Sequence, residues 1–138
     1  MTDSPAPRIG RLATVSIVVR DYDEAVAWYR DRLGFRLVED LDLGGGKRWV
    51  VMAPAGEDGA QILLARASGE RQEARIGDQT GGRVGFFLET DDFERDHARM
   101  VALGVTFHEE PRLEAYGTVA VFADLYGNLF DLIQPRRD

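Results

Sequence analysis

Side chains able to attack, relay protons or hold metals are few in this chain of 138 residues. Cysteine is absent, which removes thiol nucleophiles, thiolate metal sites and disulfides together. Of the two histidines, His97 falls four residues after Phe93 and three before Met100, at the edge of a helical apolar stripe. It reads as a half-buried or surface helix residue. His108 stands in the next predicted strand beside Glu109 and Glu110. His108 and Glu110 alternate onto one face, which permits a weak metal site, but a solvated rim position is the simpler account. Neither histidine is placed near Ser16, so no serine–histidine–acid set is supported. Gly44-Gly45-Gly46-Lys47 lacks the spacing of a phosphate-binding loop and precedes a strand, so it predicts a hairpin. What remains is carboxylates. Glu89 and Asp131 each sit within an apolar strand, where desolvation raises a carboxyl group's proton affinity and suits it to abstract a proton α to a carbonyl.

Two related stretches must position these groups. Thr14 to Gly34 (TVSIVVRDYDEAVAWYRDRLG) and Gly85 to Gly104 (GFFLETDDFERDHARMVALG) share a plan: a short apolar run, an acidic turn, an amphipathic helix and a Leu-Gly stop. Asp21 matches Asp92 at an offset of 71, and Leu33-Gly34 matches Leu103-Gly104 at an offset of 70. Two copies of one supersecondary unit predict a pseudo-symmetric fold with a cavity between the copies. In the first, Ala13 to Arg20 predicts a strand, Asp21 a helix cap and Glu24 the second half of a capping box. Val26, Tyr29 and Leu33 form one helical stripe, and Gly34 follows as a left-handed stop. Strands are predicted at Phe35–Leu41, Arg48–Ala53 and Ala60–Ala65, with a turn at Asp42–Gly46 and a loop at Pro54–Gly59. The second copy predicts a strand at Arg83–Thr90, a helix at Asp92–Leu103 and a strand at Val105–His108. A charged hairpin tip at Glu109–Ala115 follows, then strands at Thr118–Phe122 and Leu129–Ile133 around a turn at Asp124–Asn128. The expectation is one α+β domain over residues 1–138, built of two βαβββ modules at about 11–65 and 83–135. A polar linker at about 66–82 joins them, with one or two helical turns over Glu70–Ile76.

Twenty-four acidic against seventeen basic residues give a net charge of −7, which repels polyanions and argues against a nucleic-acid partner. No apolar run approaches the roughly 20 residues that cross a bilayer. The start, MTDSPAPRIG, lacks the apolar core of a secretory signal and reads as a polar tail. A cytoplasmic protein with no membrane partner is expected, and the lack of cysteine fits a reducing compartment.

The strand VSIVVRD, the helix segment AWYRDRLGF and the ending DLYGNLFDLIQP together resemble the vicinal oxygen chelate superfamily, which includes glyoxalase I, the bleomycin-resistance proteins and the extradiol dioxygenases. The resemblance spans residues 12–135. It implies paired modules whose sheets curl into a half-open barrel around a ligand cavity. It also implies where enzymes of the family hold a divalent ion: His or Gln from each first strand, Glu from each fourth. Those positions here are Thr14 and Gly85, then Leu63 and Asp131. A hydroxyl, a hydrogen atom, an alkyl group and one carboxylate fall short of the roughly three protein ligands of a catalytic metal site. No metal and no cofactor are expected there.

Alternation along strands then assigns faces. Val15, Ile17 and Val19 go to the helix side with Phe86, Leu88, Phe130 and Leu132. Thr14 and Ser16 go to the cavity with Gly85, Phe87, Glu89 and Asp131. Trp49 and Tyr116 fall near the cavity mouth, and Arg48 and Arg83 are candidate partners for Asp131. The expected ligand-binding set is Thr14, Ser16, Arg48, Trp49, Leu63, Phe87, Glu89, Tyr116 and Asp131, a wall suited to a small organic molecule with donor or cationic groups. Three functions follow from this pattern. One is a metal-free binding protein that sequesters a small molecule, in the manner of resistance proteins. Another is a lyase or isomerase-type enzyme using Asp131 or Glu89 as base, or a relocated divalent metal. The third is a non-catalytic interaction domain. The resemblance and the open sheet edges imply a homodimer.

Overall fold

The computed structural model describes residues 4–56 and 58–137. Residues 1–3 of the expected tail and Glu57 of the expected Pro54–Gly59 loop lie outside the described residues. The first module opens with β1 (Thr14–Val19). Asp21 is extended, at φ −150°, and its carboxylate accepts the Glu24 amide at 2.8 Å, which starts α1 (Tyr22–Leu33). Gly34 ends that helix at φ 69°, a conformation that costs glycine little. The second half of the predicted capping box does not form. The Glu24 carboxylate instead accepts from Arg20 and, at 2.8 Å, from the Tyr126 hydroxyl of the other module.

β2 (Arg36–Gly44) and β3 (Lys47–Ala53) make a hairpin that is tighter than expected. The strand continues through Asp42 to Gly44, and only Gly45 and Gly46 turn, at φ 64° and 82°. Gly44 before them is also at positive φ, 85°, and positive φ at both turn residues matches the right-handed twist of the flanking strands. β4 (Gln61–Arg66) inserts between β1 and β3, parallel to the former, so the sheet order is β1-β4-β3-β2. The linker carries only a short helix, α2 (Glu70–Glu73).

The second module repeats the plan with β5 (Phe86–Glu89), α3 (Phe93–Ala102), β6 (Thr106–Phe107), β7 (Arg112–Glu114), β8 (Gly117–Ala123) and β9 (Leu129–Pro135). Its order is β5-β9-β8-β6, with β7 also pairing β8. The predicted strand at Val105–His108 is thus shorter, and part of the predicted tip, Arg112–Glu114, is itself a strand. Pro111 has no N–H to give to a ladder, so one strand becomes two. Glu109 repairs the gap: its carboxylate accepts the Val121 amide at 3.0 Å, where a strand carbonyl would have served.

The two sheets curl without closing into a barrel. A single core joins the modules, with Ile17, Tyr29, Met52 and Leu64 from the first and Phe122, Phe130 and Leu132 from the second. Phe130 is central: its ring lies 6.2 Å from Tyr29, 5.2 Å from Phe122 and 4.8 Å from Phe86. The Tyr29 hydroxyl donates to buried Asp124 at 2.6 Å. Asp124 also accepts from the Asn128 side chain and from the Tyr126 and Asn128 amides, each at 2.9 Å. Burial, with Asp124 adding to it, holds the Tyr29 phenol protonated well above its ordinary range.

The linker is fastened to both modules. The Gln79 side chain accepts the Val18 amide at 3.1 Å, and the Gln79 main-chain amide donates to Asn128 at 3.3 Å. Gly77, at φ 76°, passes so close to the Tyr126 carbonyl that a Cβ there would collide with it.

Candidate functional site

Each sheet has one face packed on helices and one face without them. Val50 and Met52 lie in the helix-side core, so their neighbours Trp49 and Val51 point the other way. Val51 pairs with Leu63, which pairs with Ser16, and Trp49 pairs with Leu41. Thr14 lies two residues from Ser16 on the same face and is half-buried. On this first helix-free face, Val51 is buried while Trp49 remains 39% exposed.

The second sheet follows the same logic. Phe130 and Leu132 belong to the core, and Asp131 between them faces away from the helix. Asp131 pairs with Phe87 on one side and Val121 on the other, and Glu89 pairs with Ile133. Phe87 is 64% exposed and Glu89 is exposed, whereas Asp131 is only 6% exposed. The expected grouping of Ser16 with Leu63 and of Phe87 with Asp131 is therefore present in the strand register.

Arg48 does not join them. Its guanidinium donates to Asp40 at 2.7 Å and Asp23 at 3.0 Å, and lies 5.0 Å from the Tyr22 ring centre on the helix side. The physical reason is plain: Arg48 and Trp49 are adjacent in a strand and cannot share a face. Arg83 is elsewhere too, in a cleft of about 270 Å³ between linker and turn that includes His108 and Asn128.

The cation that acts on Asp131 is Arg112, in the stretch expected to be a hairpin tip. Arg112 donates through Nε to both oxygens of Glu109, and through Nη1 to Glu114 at 2.8 Å and the Tyr116 hydroxyl at 3.3 Å. Burial raises the Asp131 carboxyl above its ordinary range; Arg112 opposes the shift and Glu109 adds to it. Among the described residues no donor reaches Asp131 Oδ1, which is buried without a hydrogen-bond partner. The pairing of Arg112 with Glu114 was readable as an i, i+2 pair on one strand face, had the stretch been recognised as a strand.

Thr14, Leu63, Gly85 and Asp131 do not form a donor set for a divalent ion. A Cβ at Gly85 would moreover stand 2.5 Å from the Thr80 methyl group of the linker, so a side chain there would have to displace Thr80. Among the described residues no group of three or more His, Asp or Glu side chains is arranged to hold a metal. His97 is wedged between Phe93 and Phe107, with ring centres at 5.4 and 4.4 Å. His108 and Glu110 are exposed.

A family model for the Glyoxalase/Bleomycin resistance protein/Dioxygenase superfamily matches residues 9–132. A protein of uncharacterized function from Shewanella frigidimarina (strain NCIMB 400) is 53% identical over 121 residues, covering 87% of this chain and 90% of the relative. The crystal structure of UcmS2 is similar at TM-score 0.79 and 32% identity, covering 91% of this chain and 98% of that one. TnmS3, an antibiotic binding protein from Streptomyces sp. CB03234, superposes at TM-score 0.76 with 29% identity, covering 95% of this chain and all of its own.

Proposed function

This chain belongs to the Glyoxalase/Bleomycin resistance protein/Dioxygenase superfamily, and we propose that it is a metal-free, resistance-type protein that binds and sequesters a small organic molecule. The observation that carries this reading is the combination on the helix-free faces. Large exposed apolar side chains, Trp49 and Phe87 on the faces and Tyr116 in the turn between β7 and β8, accompany a buried carboxylate, Asp131, whose Oδ1 lacks a donor among the described residues. Ligand sites are mostly apolar walls with a few well-placed polar groups. The antibiotic-binding neighbour TnmS3 supports the same reading.

A second copy of the chain completes the site in this proposal. A single chain leaves Phe87 64% and Tyr116 52% exposed, and covering such side chains is the ordinary drive to association. Light scattering should return about twice the 15.4 kDa chain mass; a monomer at micromolar concentration contradicts the dimer. No helix among the described residues is long and apolar enough to cross a membrane, and we place the protein in the cytoplasm.

Thermal-shift screening of chelator-treated protein against antibiotics and aromatic compounds tests the binding reading. A compound that raises the melting temperature without added metal supports it, and silence across the panel counts against it. A second reading is favoured by the raised Asp131 carboxyl. A group of that kind serves as a general base toward a carbon acid. If turnover is found, Asp131→Asn should abolish it while leaving the fold intact.

A further inference from the structure

The second sheet's helix-free face has a charge balance that the binding reading does not use. Glu109, Glu114 and Asp131 share one guanidinium, Arg112. Arg112 is committed by hydrogen bonds to Glu109, Glu114 and Tyr116, and acts on Asp131 only through its charge. Glu89 adds a further carboxylate on the same strand face as Phe87, two residues along. The excess of negative charge is therefore local as well as global.

Within that field Asp131 is the unusual member. It is only 6% exposed, and among the described residues Oδ1 has no hydrogen-bond partner. A buried acceptor without a donor is costly, and a ligand that supplies the donor recovers that cost on binding. The strand partner of Asp131 is Phe87, whose ring is largely exposed. A flat ring laid on Phe87 would carry its own substituents toward Asp131, and the ring face favours a cation as well as an aromatic surface.

We infer that the ligand is a cationic aromatic compound whose N–H group donates to the Asp131 carboxylate while its ring packs on Phe87, and that anionic aromatics of the same size are rejected. This deepens the binding reading and rests on the helix-free face being the binding surface. Asp131 sets the specificity in this scheme; Arg112 is a positioning residue that holds Glu109 and Glu114 in place.

Two probes of near-equal footprint separate the terms: 9-aminoacridine, a flat cation with N–H donors, and anthracene-9-carboxylate, a flat anion without them. Affinities are measured by calorimetry at pH 8 on the wild type, Asp131→Asn and Glu109→Gln, with circular dichroism to establish folding. The wild type should bind 9-aminoacridine at least about tenfold more tightly than anthracene-9-carboxylate, the scale of one charged hydrogen bond. Asp131→Asn should lose about tenfold for the cation and nothing for the anion, so that the preference collapses. Glu109→Gln, which can still accept the Val121 amide, should lose only a few-fold for the cation. If both probes bind and Asp131→Asn leaves their ratio unchanged, the inference is overturned while the binding face stands. If neither probe binds the folded wild type, both the inference and the binding reading of this face are overturned. Should Asp131→Asn fail to fold, an unchanged ratio in Glu109→Gln overturns the electrostatic part by itself.

Discussion

Removing one oxygen atom from the core should loosen the whole chain. Tyr29 is fully buried, and its hydroxyl donates to buried Asp124 at 2.6 Å across the junction between the modules. In Tyr29→Phe the ring still fills its place beside Phe130 and Phe35, so no cavity opens. The loss is one hydrogen bond to a charged group, about 1.5–3 kcal/mol. Asp124 keeps the Asn128 side chain and two amides as donors, which puts the loss near the lower end, about 1.5–2 kcal/mol. For 138 residues at about 2.1 cal/mol/K each, the unfolding entropy is about 0.3 kcal/mol/K, so the melting temperature should fall by about 5–7 °C. Differential scanning calorimetry reads this directly, and it also tests whether one transition persists. The Tyr22 hydroxyl only accepts the Arg48 amide at 3.1 Å in a half-buried setting, so Tyr22→Phe should cost about half as much. A Tyr29→Phe protein melting within about 1 °C of the wild type, or no lower than Tyr22→Phe, would refute the claim that this bond holds the modules together.

Further predictions concern single positions. Asp131 has a folded-state pKa above its unfolded value, so its ionised form opposes folding; the penalty is full above the folded pKa and fades as pH falls toward the ordinary 3.8. The melting-temperature difference between Asp131→Asn and the wild type should accordingly favour the variant most at neutral pH and shrink on acidification. A pH-independent difference would show that burial does not perturb this group. Gly77→Ala should cost at least about 2 kcal/mol, because it combines a positive φ with a collision at the Tyr126 carbonyl; thermal melts check this. Titration of chelator-treated protein with zinc, nickel or manganese should yield no stoichiometric binding, and one tightly held ion per chain would restore a metal-dependent reading.

Much of the architecture was legible because short-range signals agree with long-range ones here. Asp21 and Asp92 are helix caps, Gly34 is a left-handed stop, and alternation puts Phe87 and Asp131 on one face as expected. The failures have local causes. Pro111 splits a strand and hides Arg112 in what reads as a charged tip, so the sequence offers Arg48 and Arg83 as partners of Asp131 in its place. Arg48 lies on the helix side because its neighbour Trp49 takes the other face of β3. Glu24 was expected to return to its own helix end, but its partner Tyr126 lies 102 positions later, beyond any spacing rule. Contacts between modules are the part that local pattern does not encode.

Gln79 has one more effect. β1 is the outermost strand of its sheet, and an outermost strand invites a stranger's backbone to dock. By taking the amide of Val18 and giving a hydrogen to its carbonyl at 3.4 Å, the Gln79 carboxamide imitates a neighbouring strand for a single residue. That occupied rung bars continuous extension of the sheet from this side, leaving only the opposite margin, where Arg36, Glu39, Asp40 and Asp42 supply repelling and hydrated charge. A lone amide side chain thereby makes this edge a poorer template for another strand, and replacing it should cost solubility before it costs fold.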